Sequence, residues 1–244
     1  TGIHYTARRF PGSIPDISQL NYNPGLLRYL NGLSKSYGII IVSGGTGSGK
    51  TTLLSCLMKN YLETEGGFAY TIEDPPEFPL DGYYKAINQS IGLCKQTEPP
   101  DGVWEKGIQS ALRSHPRYIL IGEIRSPESA SEALRAATSG HLVLTTIHAN
   151  NIEDTATAFI KYAQNGGMGL DLASDLLARS VLGIINQRLI MNNGKRSPDV
   201  KFLFFNPDLD AADQARMVIR NKSLQFQTTI EQQLNKLNRG TPFF

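Results

Sequence analysis

One stretch of the sequence combines residue types and a spacing that suit the binding of a phosphate chain. Residues 44–51 read Gly-Gly-Thr-Gly-Ser-Gly-Lys-Thr, which fits the P-loop pattern G-x-x-x-x-G-K-[ST]. Glycines let the backbone turn tightly, so that successive N–H groups can point at one anion. In such a loop Lys50 reaches the β- and γ-phosphates of ATP, and the Thr51 hydroxyl ligates Mg²⁺. We therefore predict nucleotide contacts from Gly45, Thr46, Gly47, Ser48, Gly49, Lys50, Thr51 and Thr52. A glycine-rich turn without a ligand is the alternative.

The segments on either side of this loop are those that a P-loop requires. Residues 38–42 are apolar and β-branched, which predicts a buried strand. Residues 52–58 are also mainly apolar and predict a buried helix. A helix that begins at Lys50 would add unpaired N–H groups and the positive end of its dipole to the loop.

Carboxylates follow two further predicted strands. Glu73 and Glu77 come after a strand predicted at residues 67–72, and Glu123 comes after a strand predicted at residues 118–121. In an open α/β sheet, ligands bind beyond the carboxyl ends of the strands. A carboxylate there can orient or deprotonate a water, and an acid after an apolar strand can hold the Mg²⁺ shell. A solvated acidic turn would also explain Glu73 and Glu77.

A fourth predicted strand, at residues 142–147, lies between two histidines. His141 precedes the strand and His148 follows it. Alternation along a strand places these two side chains on opposite faces, so strand geometry does not bring both to one site. A histidine at a strand end can hydrogen-bond a γ-phosphate, and it can instead be a structural, half-buried side chain.

The composition is that of a globular protein. The chain has 244 residues, of which 40% are hydrophobic and 19% are charged, and this length allows one large core. Its 24 basic and 22 acidic residues nearly balance, so there is no electrostatic case for nucleic acid as the main partner. No apolar run approaches the ~20 residues that a membrane helix needs. Cys56 and Cys94 have neither metal nor redox spacing and are expected to be reduced thiols.

The remaining patterns complete an alternation of strands and helices. Helices are predicted at residues 24–30, 103–112, 152–164, 170–182, 211–220 and 224–237, with another that begins at Ser126 as its N-cap. Late strands are predicted at residues 184–190 and 200–205, joined as a hairpin through Asn192, Asn193 and Gly194. Residues 80–101 are predicted to be irregular. Three segments are expected: residues 1–20, the end of a missing N-terminal domain with its linker; residues 21–190, the nucleotide-binding domain; and residues 191–244, a hairpin strand and helices packed on that domain.

Taken in order, these motifs resemble those of the secretion ATPase superfamily, which comprises ATPases of type II secretion, type IV pili and type IV secretion. Beside the P-loop, residues 71–77 resemble the aspartate box of the family, residues 119–125 its atypical Walker B motif with Glu, and residues 138–148 its histidine box. Residues 187–189, Gln-Arg-Leu, resemble a further signature. The resemblance implies an α/β, RecA-like P-loop NTPase fold, with a mostly parallel central sheet flanked by helices and a C-terminal helical extension.

The resemblance also implies roles for individual side chains. Glu73 would be the catalytic carboxylate that positions water, with Glu77 as the second choice. Glu123 would hold Mg²⁺, partly through water. His141 would contact or sense the γ-phosphate, while His148 would support the histidine box.

The resemblance further implies an assembly and a cellular role. Arg8 or Arg9 lies where the family has linker arginines that reach a nucleotide, often that of a neighbouring subunit; a solvated surface pair is the alternative. Members act as rings, usually hexamers, in the cytoplasm at the inner membrane, together with platform proteins of the secretion or pilus machine. The expected function is therefore an ATP-hydrolysing motor for protein export or for pilus assembly or retraction, with no direct nucleic-acid partner.

The sequence departs from the family pattern at several positions, and two other functions stay open. Ser126 stands where Asp is usual. The four-cysteine zinc element of many members has no counterpart, and this absence favours the pilus-retraction branch and the virulence and conjugation branch. A RecA-like nucleic-acid motor is one alternative and would need a basic channel or stacking aromatic residues. A nucleotide-binding assembly module with little hydrolysis is the other.

Overall fold

The computed structural model describes residues 11–192, 194–208 and 213–244. Arg8 and Arg9 therefore lie outside the described residues. The described strands are β1 Gly38–Ser43, β2 Gly67–Ile72, β3 Gly82–Lys85, β4 Ile91–Thr97, β5 Tyr118–Ile121, β6 Leu142–Ile147, β7 Val181–Asn192 and β8 Lys195–Phe204. The helices are α1 Pro24–Gly32, α2 Lys50–Thr64, α3 Trp104–Arg113, α4 Pro127–Thr138, α5 Ile152–Asn165, α6 Leu170–Ser180, α7 Gln214–Arg220 and α8 Gln227–Arg239.

The strands form one mostly parallel sheet in the order β3-β4-β2-β5-β6-β1-β7-β8. The six strands from β4 to β7 in this order run parallel, and β3 and β8 pair antiparallel at the two edges. In a parallel sheet, all carboxyl ends lie at the same edge. Residues that directly follow β1, β2, β5 and β6 therefore lie close together even though they are distant in the sequence.

Strand β1 lies near the centre of the sheet and is buried on both faces. Ile39 and Ile41 pack into the hydrophobic cluster that includes α4, α5 and α6. Ile40 and Val42 pack into the opposite cluster, which includes α1 and α2. Strands buried on both faces need continuous apolar runs, which explains the sequence of residues 38–42. Full burial of each such side chain stabilises the fold by roughly 1.5–3 kcal/mol.

The prediction that residues 80–101 are irregular is wrong, because β3 and β4 lie there. Strand β4 has only a weak apolar pattern, since Gly92 and Cys94 are buried, Leu93 between them is half-buried, and residues 95–97 are polar. Its pairing with β2 over residues 67–72, rather than its own apolar pattern, accounts for the strand. This long-range contact has no local signal.

The C-terminal part follows the predicted outline with shifted boundaries. The predicted hairpin is present and longer than expected, since β7 and β8 pair from Gly183 to Asn192. The domain boundary predicted at residues 190 and 191 falls within β7, and the division into domains stays a prediction. Helices α7 and α8 form the predicted extension, and Gln233 of α8 bonds both the N–H and the carbonyl of Phe204 in β8. Within the described residues, none of the helices combines the length and apolar character that crossing a membrane takes.

Candidate functional site

The loop between β1 and α2 has the backbone geometry of an anion site. Gly44, Gly47 and Gly49 have φ values of 142°, 74° and 87°, a region that favours glycine. A Cβ at Gly44 would lie 2.1 Å from the main-chain oxygen of Gln187, so only glycine fits there. Helix α2 begins at Lys50, and no side chain of the described residues caps its N terminus. The unpaired amides and the helix dipole therefore favour an anion at this point.

Lys50 is buried at the same loop and bonds its backbone. Its Nζ donates to the carbonyl oxygens of Gly44, at 2.9 Å, and Gly45, at 3.0 Å. Burial lowers the pKa of Lys50, while the carboxylates of Glu123 and Glu77 act in the opposite direction. Since both acids interact with the ammonium group, the positive charge of Lys50 belongs to the same site as the acids.

A cleft of about 450 Å³ opens over the loop and brings the predicted groups together. Its lining from the loop and α2 consists of Thr46, Gly47, Ser48, Gly49, Lys50, Thr51 and Thr52. The strand ends contribute Glu73, Asp74, Pro75, Glu77, Gly122, Glu123, Arg125, Thr146 and His148. Trp104 from α3 and Leu189 and Arg196 from the hairpin complete it. Among the predicted loop residues Gly45 does not line the cleft, and its described contribution is the carbonyl that holds Lys50.

Glu73 is the most buried carboxylate of the cleft, with 2% of its surface exposed. Its Oε1 accepts a hydrogen bond of 2.8 Å from Nε2 of Gln96, which lies in β4. Its Oε2 is also buried, and no donor within the described residues reaches it in hydrogen-bond geometry. Burial raises the pKa of Glu73 because the ionised form loses hydration, while Gln96 and the nearby Thr71 hydroxyl act in the opposite direction. A buried carboxylate oxygen without a donor is suited to accept a hydrogen bond from a ligand or a water.

Glu123 lies beyond β5 and is held by two cationic or potentially cationic groups. Its Oε2 is 2.6 Å from Nε of Arg125, and its Oε1 is 3.0 Å from Nε2 of His148. The side chain of Glu123 is 15% exposed. These contacts fix the carboxylate at the cleft, where it interacts with Lys50.

The prediction for the two histidines needs a correction. His141 precedes β6, and its carbonyl accepts a hydrogen bond from the N–H of Gly38, the first residue of β1. It therefore lies at the amino edge of the sheet, opposite to the P-loop. Its Nδ1 is 2.6 Å from the carbonyl oxygen of Pro116, which is a structural contact. His148 follows β6, lines the cleft and contacts Glu123, so His148 rather than His141 is the histidine at the candidate site.

Sequence reasoning did not select several residues that line or support the cleft. Trp104 belongs to the buried core and also lines the cleft, and Arg196, which was not singled out, lines it as well. Gln96, which was not singled out, bonds Glu73. Gln187 was noted only as part of the Gln-Arg-Leu signature and without a role, and its side chain bonds the loop carbonyl of Ser48. The signal for Gln187 was therefore this signature, and the strand pairing that gives the residue its role was not visible in the sequence.

The donor set fits a nucleoside triphosphate and Mg²⁺. The α2 amides and Lys50 match a phosphate chain, and the Oγ of Ser48 is buried without a hydrogen-bond partner in the described residues. Thr51 lies in the first turn of α2 and lines the cleft together with Glu123. Mg²⁺ usually keeps several waters and takes one or two protein oxygens, so these two side chains are a sufficient set.

Comparisons with known proteins show the family of the chain. Residues 6–233 match the family described as type II/IV secretion system protein. Type II secretion system protein E of Klebsiella pneumoniae is 36% identical over 176 residues, which are 72% of this chain and 32% of that protein. The type IV pilus assembly ATPase PilB of Thermus thermophilus is 35% identical over 179 residues, which are 72% of this chain and 18% of that protein. The matches thus span about a third or less of these relatives.

Solved structures show the same fold. The pilus retraction motor PilT, solved with bound ADP, superposes with a TM-score of 0.75 at 28% identity, over 96% of this chain and 66% of that chain. The ATPase DotB of Legionella pneumophila superposes with a TM-score of 0.72 at 24% identity, over 96% of this chain and 65% of that chain, and shows the fold alone. The predicted RecA-like fold is confirmed, and this chain belongs to the type II/IV secretion system protein family.

Proposed function

We propose that the chain binds Mg-ATP in the cleft and hydrolyses it. One observation carries the proposal: the P-loop, Glu73 and Glu123 line a single cleft although they are far apart in the sequence. Phosphoryl transfer to water needs an anion cradle, a group that orients the water and a group that holds the metal. Because all three are present in one place, the geometry supports hydrolysis as well as binding.

In this proposal the loop binds the phosphates. The amides at the start of α2 and the ammonium group of Lys50 face the β- and γ-phosphates, as in other P-loops. Hydrogen bonds to the carbonyl oxygens of Gly44 and Gly45 fix the position of the Lys50 ammonium group. The nearby carboxylates of Glu123 and Glu77 favour its charged form.

Glu73 is the proposed group that orients or deprotonates the attacking water. Burial raises its pKa, which makes its carboxylate a stronger base. Gln96 fixes Oε1 and thereby orients the carboxylate, while Oε2 is available to accept the hydrogen bond of the water. Glu77 lines the same cleft and is the second candidate for this role.

Thr51 and Glu123 are the oxygen ligands that this chain offers to Mg²⁺, Glu123 partly through water. The metal, when bound, neutralises the charge that develops on the phosphate oxygens. Arg125 and His148 hold the Glu123 carboxylate, and His148 is the proposed side chain that senses the γ-phosphate.

We further propose that the chain is part of an ATP-driven motor for protein export or for pilus assembly or retraction. The names of the relatives, which include a type II secretion protein and a pilus assembly ATPase, support this role. A homo-hexameric ring at the cytoplasmic side of the inner membrane, with platform proteins as partners, is the corresponding assembly. An arginine at position 8 or 9 would then act on the nucleotide of a neighbouring subunit.

Steady-state ATP hydrolysis by the Lys50→Ala variant tests the proposal. We expect kcat to fall about 10²–10³-fold, since a charge aimed at the transition state is lost. Lys161→Ala, which changes an exposed lysine of α5, is the matched control and should hydrolyse ATP like the wild type. Normal turnover by a folded Lys50→Ala variant would refute ATP hydrolysis at this site.

Two further measurements address the alternatives. Stimulation of ATP hydrolysis by DNA or RNA would favour a nucleic-acid motor. A specific ATPase activity that rises with protein concentration would support a ring.

A further inference from the structure

Gln187 is a buried polar side chain on β7 that connects two separate segments of the chain. It is 2% exposed. Its Nε2 donates to the carbonyl oxygen of Ser48 in the P-loop, and its Oε1 accepts from the hydroxyl of Tyr22, each at 2.5 Å. Tyr22 precedes α1 and is itself buried. A chain of two hydrogen bonds thus runs from residue 22 to the phosphate loop.

The bond to Ser48 fixes the orientation of one peptide group. A trans peptide is planar, and its C=O and N–H point in opposite directions. Because the carbonyl of Ser48 points at Gln187 on β7, the N–H of Gly49 in the same peptide group points away from β7. Gly49 lines the cleft and directly precedes α2. Gln187 therefore sets the direction of an amide at the anion site.

The loop depends on such external support because its glycines restrict the backbone very little. The side chain of Gln187 supplies this support through close contact with the loop at Gly49. A Cβ at Gly49 would lie 2.9 Å from the Nε2 of Gln187, so glycine at position 49 is what lets the amide approach. At the other end of the loop, the side-chain amide of Asn186 donates a hydrogen bond to the Oγ of Ser43, the last residue of β1. Adjacent residues of β7 thus hold both ends of the loop.

Tyr22 keeps Gln187 in the orientation that this contact needs. The Tyr22 hydroxyl donates to Oε1, which leaves the amide NH₂ of Gln187 directed at the Ser48 carbonyl. Burial raises the pKa of Tyr22, so its hydroxyl remains a donor at neutral pH.

We propose that Gln187 is a positioning residue that, together with Tyr22, sets the direction of the Gly49 amide and thereby the affinity of the loop for the nucleotide phosphates. This inference rests on the proposed function of the cleft. It also couples the segment at residue 22 to the nucleotide. Since such coupling is reciprocal, a change at Tyr22 alters nucleotide affinity, and bound nucleotide strengthens the Tyr22 contact.

Two conservative variants separate the two hydrogen bonds. Gln187→Glu keeps an acceptor for Tyr22 and loses the donor to the Ser48 carbonyl. Tyr22→Phe keeps the ring and loses only the hydroxyl. The matched control is Gln233→Glu, because Gln233 is a buried glutamine that bonds the N–H and carbonyl of Phe204 in the same two-sided way, away from the cleft.

Calorimetric titration with Mg-ADP and thermal melting without nucleotide measure the two effects separately. We expect the Kd for Mg-ADP to rise about tenfold or more in Gln187→Glu and about two- to fivefold in Tyr22→Phe, since one hydrogen bond is disturbed in each. Gln233→Glu should lower the melting temperature and leave this Kd unchanged. In steady-state kinetics, Gln187→Glu should raise KM for ATP more than it lowers kcat.

The outcomes distinguish the inference from the function beneath it. Wild-type chain that binds neither Mg-ADP nor Mg-ATP would overturn the proposed function and the inference with it. Wild-type binding combined with an unchanged Kd in a folded Gln187→Glu variant would overturn the inference alone. If Gln187→Glu does not fold, Tyr22→Phe decides, and a Kd equal to that of the wild type is then the contradicting result.

Discussion

Glu123 and His148 follow neighbouring parallel strands, and Oε1 of Glu123 lies 3.0 Å from Nε2 of His148. The pair joins the proposed metal-holding acid to the histidine that lines the cleft. His141, at the start of the same strand, has its ring against the carbonyl of Pro116. The two histidines therefore have different neighbours, and their substitutions should have different effects.

Replacement of the histidines should separate catalysis from stability. His148→Ala is expected to lower kcat about tenfold or more, because the partner of Glu123 and the proposed phosphate sensor are lost. His141→Ala should lower the free energy of unfolding by about 1–3 kcal/mol, because a buried carbonyl loses its partner. ATP turnover and chemical denaturation of both variants test this. Loss of turnover in a folded His141→Ala variant, with His148→Ala unaffected, would contradict the assignment.

Replacement of the two glutamates should identify the residue that positions water. Glu73→Gln is expected to reduce kcat about 10²–10⁴-fold while it still binds nucleotide, since an amide does not act as a base. Glu77→Gln serves as the isosteric control in the same cleft and should lose much less. The one tryptophan of the chain, Trp104, lines the cleft, so its fluorescence can report the binding of Mg-ATP by both variants. If Glu77→Gln is the inactive variant, the two roles are exchanged.

The raised pKa of Glu73 predicts a specific dependence of stability on pH. The folded protein binds the Glu73 proton more tightly than the unfolded chain, so stability falls as the pH rises above the ordinary value of 4.5 for this side chain. The Glu73→Gln variant lacks the titrating carboxyl group and therefore loses this contribution to the pH dependence of stability. The variant should therefore melt at a higher temperature than the wild type at pH 7–8, and the difference should shrink towards pH 4. Melting temperatures that differ by the same amount at every pH would exclude a raised pKa in the folded state.

Two adjacent glycines of the loop should tolerate alanine very differently. Gly44→Ala places a Cβ 2.1 Å from a main-chain oxygen at a φ of 142°, so we expect a loss of stability of at least about 1–3 kcal/mol. At Gly45 a Cβ meets no atom within 4 Å and the φ angle is not positive. Gly45→Ala should therefore fold with nearly wild-type stability. Thermal melting of the pair tests this, and equal losses would show that the loop has another conformation in solution.

The parts of the site that depend on one motif and on strand direction were predictable from the sequence. The P-loop pattern identified residues 44–51, and the rule that ligands bind beyond the carboxyl ends of strands brought Glu73 and Glu123 to it. The same rule favours His148, which follows its strand, over His141, which precedes it. The prediction for the histidines was wrong because it followed the motif and not the strand direction.

Other parts of the site depend on contacts that no local pattern encodes. Gln96 reaches Glu73 only because β4 pairs with β2, and β4 has too few apolar residues to be recognised as a strand. Gln187 reaches Ser48 because β7 lies beside β1 in the sheet, and the order of strands cannot be deduced from their individual sequences. Arg196 lies in the cleft because the hairpin of β7 and β8 is longer than its apolar segments indicate.

Ser126 departs from the aspartate that is usual in the resembling family, and the cap of α4 explains why the exchange is tolerated. Its side chain accepts a hydrogen bond from the N–H of Ser129 and closes a capping box, with Pro127 at the first helical position. Aspartate at an N-cap accepts the same hydrogen bond. Serine therefore caps α4 as aspartate would. A search pattern for distant homologues should admit every short side chain with an acceptor oxygen here, since one that demands a negative charge would reject this chain.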